Sequence, residues 1–133
     1  MRLISNETWG VLTVVQEASN QPYEGQVGVA EVIQRRAGTK FMSDGTIVGT
    51  VLRPYQFSGW NTQDPNRVRV ARMLDDDPVY LQCLAAWRDA LGGVSVVPGA
   101  VFYYNASIVP TPPTWASTDK LVRIIGAHSF YAA

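Results

Sequence analysis

Residues 17–36 read EASNQPYEGQVGVAEVIQRR, and this stretch predicts two helices joined by a tight turn. Pro22 cannot continue the helix that precedes it, but it suits the first turn of a new helix. Beyond it, apolar residues recur at helical spacing at positions 27, 30 and 33. We therefore expect a helical hairpin whose second helix runs from Pro22 to Arg36, with Gly38 beyond it as a stop signal.

The first helix of this hairpin precedes the turn and carries Glu17 near its end. Ser5 or Asn6 can cap its start. Its apolar face repeats every three residues, at Trp9, Leu12 and Val15. In the last turn of a helix, unpaired carbonyl groups and the negative end of the helix dipole disfavour an ionised carboxylate and raise its pKa. Because a general acid working near neutral pH needs such a pKa, Glu17 is the candidate catalytic residue.

More helices are predicted after the hairpin. Residues 46–52 fit either a short helix or a buried strand, because an apolar run of this length does not separate the two. Asp64-Pro65 and Asp77-Pro78 each place a capping carboxylate before a first-turn proline, which predicts two helix starts. The second of these helices is expected to close at Gly92-Gly93.

The last third of the chain is rich in β-forming residues. Strands are predicted at 101–104, 121–125 and 128–131, with a proline-rich loop between the first two. Helices first and a small antiparallel sheet last make the fold class α+β. Since 133 residues suit one domain, we expect a single domain over residues 1–133.

Composition excludes several classes of protein. Eleven basic residues balance eleven acidic ones, so we expect no nucleic-acid partner. One cysteine and one histidine fall short of a zinc site, so we expect no metal and no cofactor; Cys83, in a helix, is read as a packing residue. No apolar run is long enough for stable membrane insertion, and the start of the chain lacks the apolar stretch of a secretory signal. We expect a protein made in the cytoplasm without an export signal.

Four segments place polar and aromatic residues where a plain core does not need them. They are residues 17–26, Gln56-Phe-Ser58, Phe102-Tyr-Tyr-Asn105 and Ile125-Gly-Ala-His-Ser-Phe130. Together and in this order, they resemble the cell wall hydrolase family named after the spore-cortex-lytic enzymes, the SleB/CwlJ type. The resemblance covers nearly the whole chain.

This resemblance implies a compact α+β domain with a scaffold like that of lysozyme and the lytic transglycosylases, acting on peptidoglycan. It carries the catalytic acid onto Glu17. The family often has a second glutamate directly before the proline, whereas this chain has Gln21 there. A role for a carboxylate at that position is therefore excluded.

A sugar substrate calls for aromatic platforms and hydrogen-bonding side chains. Tyr103 and Tyr104 point to opposite faces of a strand, so we expect one in the core and the other, Tyr104, in the groove. Trp115 and Trp60 come from loops and are candidates for sugar stacking, whereas Trp9 and Trp87 are read as core residues. The predicted substrate-binding residues are Glu24, Gln56, Ser58, Tyr104, Asn105, Trp115 and His128.

Two kinds of chemistry stay open at this point. A lytic transglycosylase needs Glu17 alone, because the substrate's own C6 hydroxyl closes a 1,6-anhydro ring. A muramidase needs a second carboxylate. Its candidates in the sequence are Glu7, Glu24, Glu31, Asp44 and Asp64.

A catalytically silent peptidoglycan-binding module is the rival from another class of protein. The setting expected for the enzyme is a bacteriophage, as an endolysin freed at lysis or as a component of the virion. Its expected partners are peptidoglycan glycan strands and, in the second case, other virion proteins.

Overall fold

The computed structural model describes residues 5–53, 56–60 and 64–133. Within this part, the helices and strands follow the predicted order. None of the described helices combines the length and the apolar character needed to cross a membrane. The elements are α1 (Asn6–Ala18), α2 (Tyr23–Thr39), α3 (Ile47–Val51), α4 (Pro65–Ala71), α5 (Pro78–Leu91), β1 (Phe102–Asn105), β2 (Leu121–Ile125) and β3 (His128–Tyr131), with 3-10 turns at Ser58–Trp60 and Thr118–Lys120.

The helical hairpin forms around Pro22, as the sequence predicts. Ser5 caps α1, its hydroxyl oxygen accepting the N–H of Thr8 at 3.1 Å. The stop predicted at Gly38 is wrong, because α2 continues through it to Thr39. The left-handed position that ends the helix is taken by Lys40, with φ 56°, so the helix closes without a glycine.

Local capping also explains the shorter helices. Residues 47–51 form a helix rather than a strand because the Thr46 hydroxyl accepts the N–H of Gly49 at 2.9 Å. The two helix starts predicted from Asp-Pro pairs are confirmed at Pro65 and Pro78. At the second start, the Asp77 carboxylate accepts the N–H of Val79 at 2.8 Å.

The three strands form one antiparallel sheet in the order β1-β3-β2. His128, the first residue of β3, lies opposite Asn105 on one side and Ile125 on the other. Tyr103 lies opposite Phe130. This register brings the tyrosine and histidine motifs of the sequence to the same end of the sheet.

The sheet and the helices share one hydrophobic core. Phe130 is fully buried, and its ring lies against α2 at Gly28, where an added Cβ atom would stand 2.8 Å from the ring. A glycine at this position therefore lets the central strand approach the helix closely. Cys83 and Trp87 on α5 are buried, as predicted. This packing places the end of the sheet beside the last turn of α1, which carries Glu17.

Candidate active site

A pocket of about 320 Å³ opens between the sheet and the helical hairpin. Its volume lies at the lower end of the range typical of small-molecule sites, roughly 300–1,000 Å³. The motifs that the sequence singled out supply most of its wall. The lining residues are Glu17, Arg36, Gln56, Phe57, Tyr103, Tyr104, Asn105, Ile108, Val109 and His128.

Glu17 projects into this pocket from the last turn of α1. Burial raises the pKa of its carboxyl group to about 7. The Tyr103 hydroxyl and the positive charge of Arg36 act in the opposite direction, and the negative charge of Asp64 raises the pKa further. Removal from water therefore outweighs the stabilising partners. At neutral pH, a large share of Glu17 still holds a proton that it can donate.

Tyr103 forms the inner wall of the pocket beside Glu17. Burial raises the pKa of its phenol well above the usual value, and the charge of Glu17 adds to the effect. Its hydroxyl is buried and meets the geometry of a regular hydrogen bond with none of the described residues, although it lies close enough to Glu17 to shift the carboxyl pKa. Tyr103 stays protonated throughout the physiological pH range and is a donor held next to the acid.

The pocket corrects the expectation that Tyr103 or Tyr104, but not both, faces the groove. Both line it. Tyr103 packs inward against Phe130, at 5.6 Å between ring centroids, whereas Tyr104 packs toward Tyr131 and Trp115. Side chains from both faces of β1 therefore line the pocket.

Arg36 is a site residue that the sequence reasoning missed. Its side chain is 5% exposed, and its Nε donates to the carbonyl oxygen of Val101 at 2.7 Å. The guanidinium group also donates to Gln56 Oε1 at 3.4 Å. It lies over the Phe57 ring, 5.4 Å from the centroid. Burial lowers the pKa of Arg36, although the charges of Tyr103 and Glu17 raise it.

A signal for Arg36 was present in the sequence. Val29, Val32 and Arg36 follow helical spacing, so the arginine falls on the apolar face of α2. A charged residue in such a position must find partners inside the protein, and these define a polar site. The same logic explains why Gln56 lines the pocket, since its amide oxygen faces the guanidinium group of Arg36.

His128 lines the pocket at the end of the sheet. It is 3% exposed, and its ring makes an edge contact with Tyr103 at 5.2 Å between centroids. Burial lowers the pKa of the imidazole, so the ring is neutral at neutral pH. Its Nδ1 is buried and has no hydrogen-bond partner among the described residues.

The rim of the pocket is formed by the turn that follows β1. The carbonyl oxygen of Asn105 accepts the N–H groups of Ile108 at 3.1 Å and Val109 at 2.9 Å. The side-chain oxygen of Asn105 accepts the N–H of Ser107 at 2.9 Å. These bonds fix a turn in which the apolar side chain of Ile108 is 75% exposed to solvent. Asn105 therefore shapes the rim of the pocket as well as lining it.

Two predicted substrate-binding residues lie outside the lining of this pocket. Glu24 is exposed at the start of α2 and pairs with Arg123 at 2.7 Å. Trp115 stacks on Phe102, with ring centroids 4.5 Å apart, and anchors the proline-rich loop. Ser58 lies in a 3-10 turn, but its side chain falls outside the described part of the structure.

Trp60, a candidate for sugar stacking, belongs to the core region instead. Its ring packs on Trp9, with centroids 4.9 Å apart. Its indole N–H donates to the Thr13 hydroxyl oxygen at 2.8 Å. Because both the ring and its polar atom have partners inside the protein, Trp60 is read as a packing residue.

The five possible second carboxylates differ in the contacts that they make. Glu7 pairs with Arg88 at 3.0 Å, and Glu31 pairs with Arg35 at 2.8 Å. Asp44 accepts the N–H of Thr46 at 2.9 Å. Of the five, Asp64 is the one whose charge acts on Glu17. Among the described residues, no three histidine, cysteine or acidic side chains gather in a group that could hold a metal ion.

The sequence is similar to proteins that act on cell walls. A family model described as Cell Wall Hydrolase matches residues 20–131. Spore cortex-lytic enzymes are relatives: that of Bacillus subtilis is 25% identical and that of Oceanobacillus iheyensis 27% identical, each over 98% of this chain. The chain spans 36% and 40% of the length of these two relatives. Glu17 lies just before the residues that the family model matches.

Solved structures share the fold. The catalytic domain of the germination-specific lytic transglycosylase SleB from Bacillus anthracis superposes with a TM-score of 0.74 at 24% identity. The superposition covers 95% of this chain and 93% of that domain. The catalytic domain of the Bacillus cereus SleB protein gives the same TM-score at 23% identity, over 98% and 94%. The α+β fold with its small antiparallel sheet is thus the fold of these catalytic domains.

Proposed function

Because the chain belongs to the cell wall hydrolase family, we propose that it is a lytic transglycosylase that cleaves the glycan strand of peptidoglycan. The bond broken joins C1 of N-acetylmuramic acid to the O4 atom of N-acetylglucosamine. The observation that carries this proposal is the carboxyl group of Glu17, which is half-buried, lines the pocket and has a pKa raised to about 7 by removal from water.

Glu17 acts twice in the proposed reaction. It first donates its proton to the glycosidic oxygen, so that the C1–O bond breaks and the N-acetylglucosamine leaves with a free 4-hydroxyl group. The resulting carboxylate then takes the proton of the C6 hydroxyl group of the muramic acid, whose oxygen bonds to C1. The product has a 1,6-anhydro end, no water is consumed, and Glu17 regains its proton.

The neighbours of Glu17 support both steps. Arg36 lies near enough to stabilise the carboxylate that forms after the first transfer. The hydroxyl of Tyr103 can donate to the same carboxylate. Gln56, Tyr104, Asn105 and His128 line the pocket and are the proposed sugar-binding residues.

A muramidase is the second candidate, and the effect of Asp64 on Glu17 favours it. The negative charge of Asp64 raises the pKa of Glu17, so Asp64 is the carboxylate that we would assign as the second group of a hydrolase. Glu24, the nearest alternative in sequence, is engaged with Arg123 at the surface. We place the transglycosylase first because Asp64 is not part of the pocket lining.

The products decide between the two reactions. Purified peptidoglycan is digested with the protein, and the soluble muropeptides are analysed by mass spectrometry. We expect anhydro-muropeptides, lighter by one water than the products of hydrolysis. Reducing muramic acid ends as the main product would replace the transglycosylase with a muramidase. Freed peptide stems would reject the glycan bond as the target.

Loss of turbidity of a cell-wall suspension tests the remaining alternative, a peptidoglycan-binding module without activity. Such a module sediments with cell walls but leaves their turbidity unchanged. That the protein is carried by a bacteriophage and contacts other virion proteins remains a prediction from the sequence.

A further inference from the structure

The side chain of Gln21 connects two turns that are far apart in sequence. Its Oε1 accepts the N–H of Ala127 at 2.9 Å, across 106 positions of the chain. Its Nε2 donates to the side-chain oxygen of Asn20 at 3.3 Å. One turn joins α1 to α2 and the other joins β2 to β3. The amide of Gln21 is therefore the link between the hairpin and the sheet at this point.

On the hairpin side, the link leads directly to Glu17. The backbone N–H of Gln21 donates to the carbonyl oxygen of Ala18 at 3.0 Å, and the side chain of Gln26 donates to the same oxygen at 3.1 Å. Ala18 is the residue after Glu17 and the last residue of α1. The end of the helix that carries the acid is thus held by two glutamine residues.

On the sheet side, the link leads to the rest of the pocket. Ala127 immediately precedes His128, which lines the pocket. The carbonyl oxygen of Ala127 accepts the N–H of Ala106 at 3.3 Å, at the end of β1 next to Asn105. Two contacts at Ala127, one from its N–H and one to its carbonyl oxygen, therefore join the three segments that carry Glu17, His128 and Asn105.

The backbone of the β2–β3 turn is adapted to this contact. Gly126 has φ +57° and lies so close to the hairpin that an added Cβ atom would stand 2.5 Å from Gln21 Oε1 and 2.9 Å from Pro22 Cδ. A side chain at residue 126 would be strained and would push the two turns apart. The close approach explains how a short amide side chain can reach the N–H of Ala127.

We propose that Gln21 is a positioning residue that holds Glu17 and His128 at their working separation. It acts through the backbone of the two turns and does not touch the substrate. This inference rests on the proposed function of the pocket. It requires an acceptor atom at residue 21, so a carboxylate there could supply the same contact.

Three variants test the role of Gln21. Gln21→Leu keeps the size of the side chain but removes the acceptor, and Gln21→Glu keeps an acceptor. Gln34→Leu is the matched control, because Gln34 Nε2 donates to the carbonyl oxygen of Trp87 at 3.0 Å, away from the pocket lining. Gln34→Leu therefore removes a glutamine contact between α2 and α5 that is similar to the contact of Gln21.

We expect Gln21→Leu to lower kcat roughly tenfold or more with little change in KM, because a small displacement of the acid weakens proton transfer. Water reaching Glu17 should lower its pKa, so the alkaline limb of the pH profile should move to lower pH. Gln21→Glu should restore kcat close to the wild-type value. Gln34→Leu should lower the Tm about as much as Gln21→Leu and leave kcat and the pH profile unchanged.

A Gln21→Leu variant with wild-type kcat and pH profile would overturn the inference, as would a Gln21→Glu variant as slow as Gln21→Leu. The pKa of Glu17 and the hydrogen exchange of the Ala127 amide, both measured by NMR, need no substrate. If the protein does not cleave peptidoglycan, the proposed function fails. The positioning role of Gln21 is then judged on these two measurements alone, and unchanged values in a folded Gln21→Leu variant would reject it.

Discussion

The Tyr103 hydroxyl lowers the pKa of the Glu17 carboxyl group, whereas Glu17 raises the pKa of Tyr103. Burial raises both pKa values and is the largest cause for each. The result is an acid that titrates near neutral pH beside a phenol that does not titrate there. Glu17 is therefore the member of the pair that can release a proton near neutral pH, and Tyr103 can only stabilise the carboxylate that remains.

Replacing Glu17 by glutamine should remove the activity without removing the fold. The glutamine side chain has the same size as glutamate but no acidic proton, and general acid–base groups contribute about 10²–10⁴-fold to turnover. We expect a loss of this order in the rate at which cell-wall turbidity falls. Circular dichroism should show an unchanged spectrum. A folded Glu17→Gln variant that still lyses walls would end the assignment of Glu17.

The same substitution should stabilise the protein, but only at higher pH. Folding raises the pKa of Glu17 from 4.5 to about 7, so the folded state binds this proton more tightly than the unfolded state. The stability that this proton contributes is present below pH 4.5 and is lost as pH rises through about 7, a total on the order of 3 kcal/mol. Glu17→Gln should therefore gain up to this amount over the wild type at pH 8 and nothing at pH 4.

Urea unfolding at the two pH values measures this difference. Glu24→Gln is the control, because Glu24 is an exposed carboxylate at the start of α2. An equal gain for Glu17→Gln at both pH values would mean that the pKa of Glu17 is not raised on folding.

Replacing Tyr103 by phenylalanine should shift the pH dependence of activity. The hydroxyl lowers the pKa of Glu17, so its removal should raise that pKa and move the alkaline limb of the kcat profile to higher pH. At pH 4, where Glu17 is protonated, stability should change little, because the buried hydroxyl has no regular hydrogen-bond partner among the described residues. Tyr104→Phe is the matched control and should leave the limb in place. A limb that moves to lower pH, or not at all, would contradict the contact.

Glu24→Gln should cost far less activity than Glu17→Gln. Glu24 is exposed, and its ion pair with Arg123 at 2.7 Å lies at the surface, where such pairs contribute about 0–1 kcal/mol. We expect kcat within roughly fivefold of the wild type in the turbidity assay, the largest factor that the loss of about 1 kcal/mol could produce if all of it acted on the transition state. Equal loss in two folded variants would point to a hydrolase that uses both carboxylates.

Ile108→Ser should weaken substrate binding at the rim of the pocket. Ile108 is 75% exposed and is held in place by the carbonyl oxygen of Asn105, so its apolar surface is available to a bound sugar. Removing it should raise KM up to about tenfold, from the apolar area lost, and leave kcat nearly unchanged. Ile124→Ser is the control, since Ile124 is 60% exposed on β2 and does not line the pocket. Equal KM values in the two variants would remove Ile108 from the site.

The local architecture could be read from the sequence because it depends on interactions over a few residues. The turn at Pro22, the cap at Asp77 and the alternating strands each have a cause within one turn or one strand. Gly38 shows the limit of such reasoning. Helix α2 continues through Gly38 and is capped by Lys40, because a glycine permits a left-handed cap but does not impose one.

The sequence alone determined the fold class, the position of Glu17 in the last turn of α1, and the segments from which the pocket is built. It predicted a raised pKa for Glu17 from the end of a helix, whereas burial is the largest cause in the structure. Only the tertiary structure decided which side chains surround that carboxyl group. Arg36 and Tyr103 line the pocket beside Glu17, whereas Glu24 and Trp115 lie outside its lining. The sequence could not show this, because burial and charge–charge contacts depend on segments brought together across the whole chain.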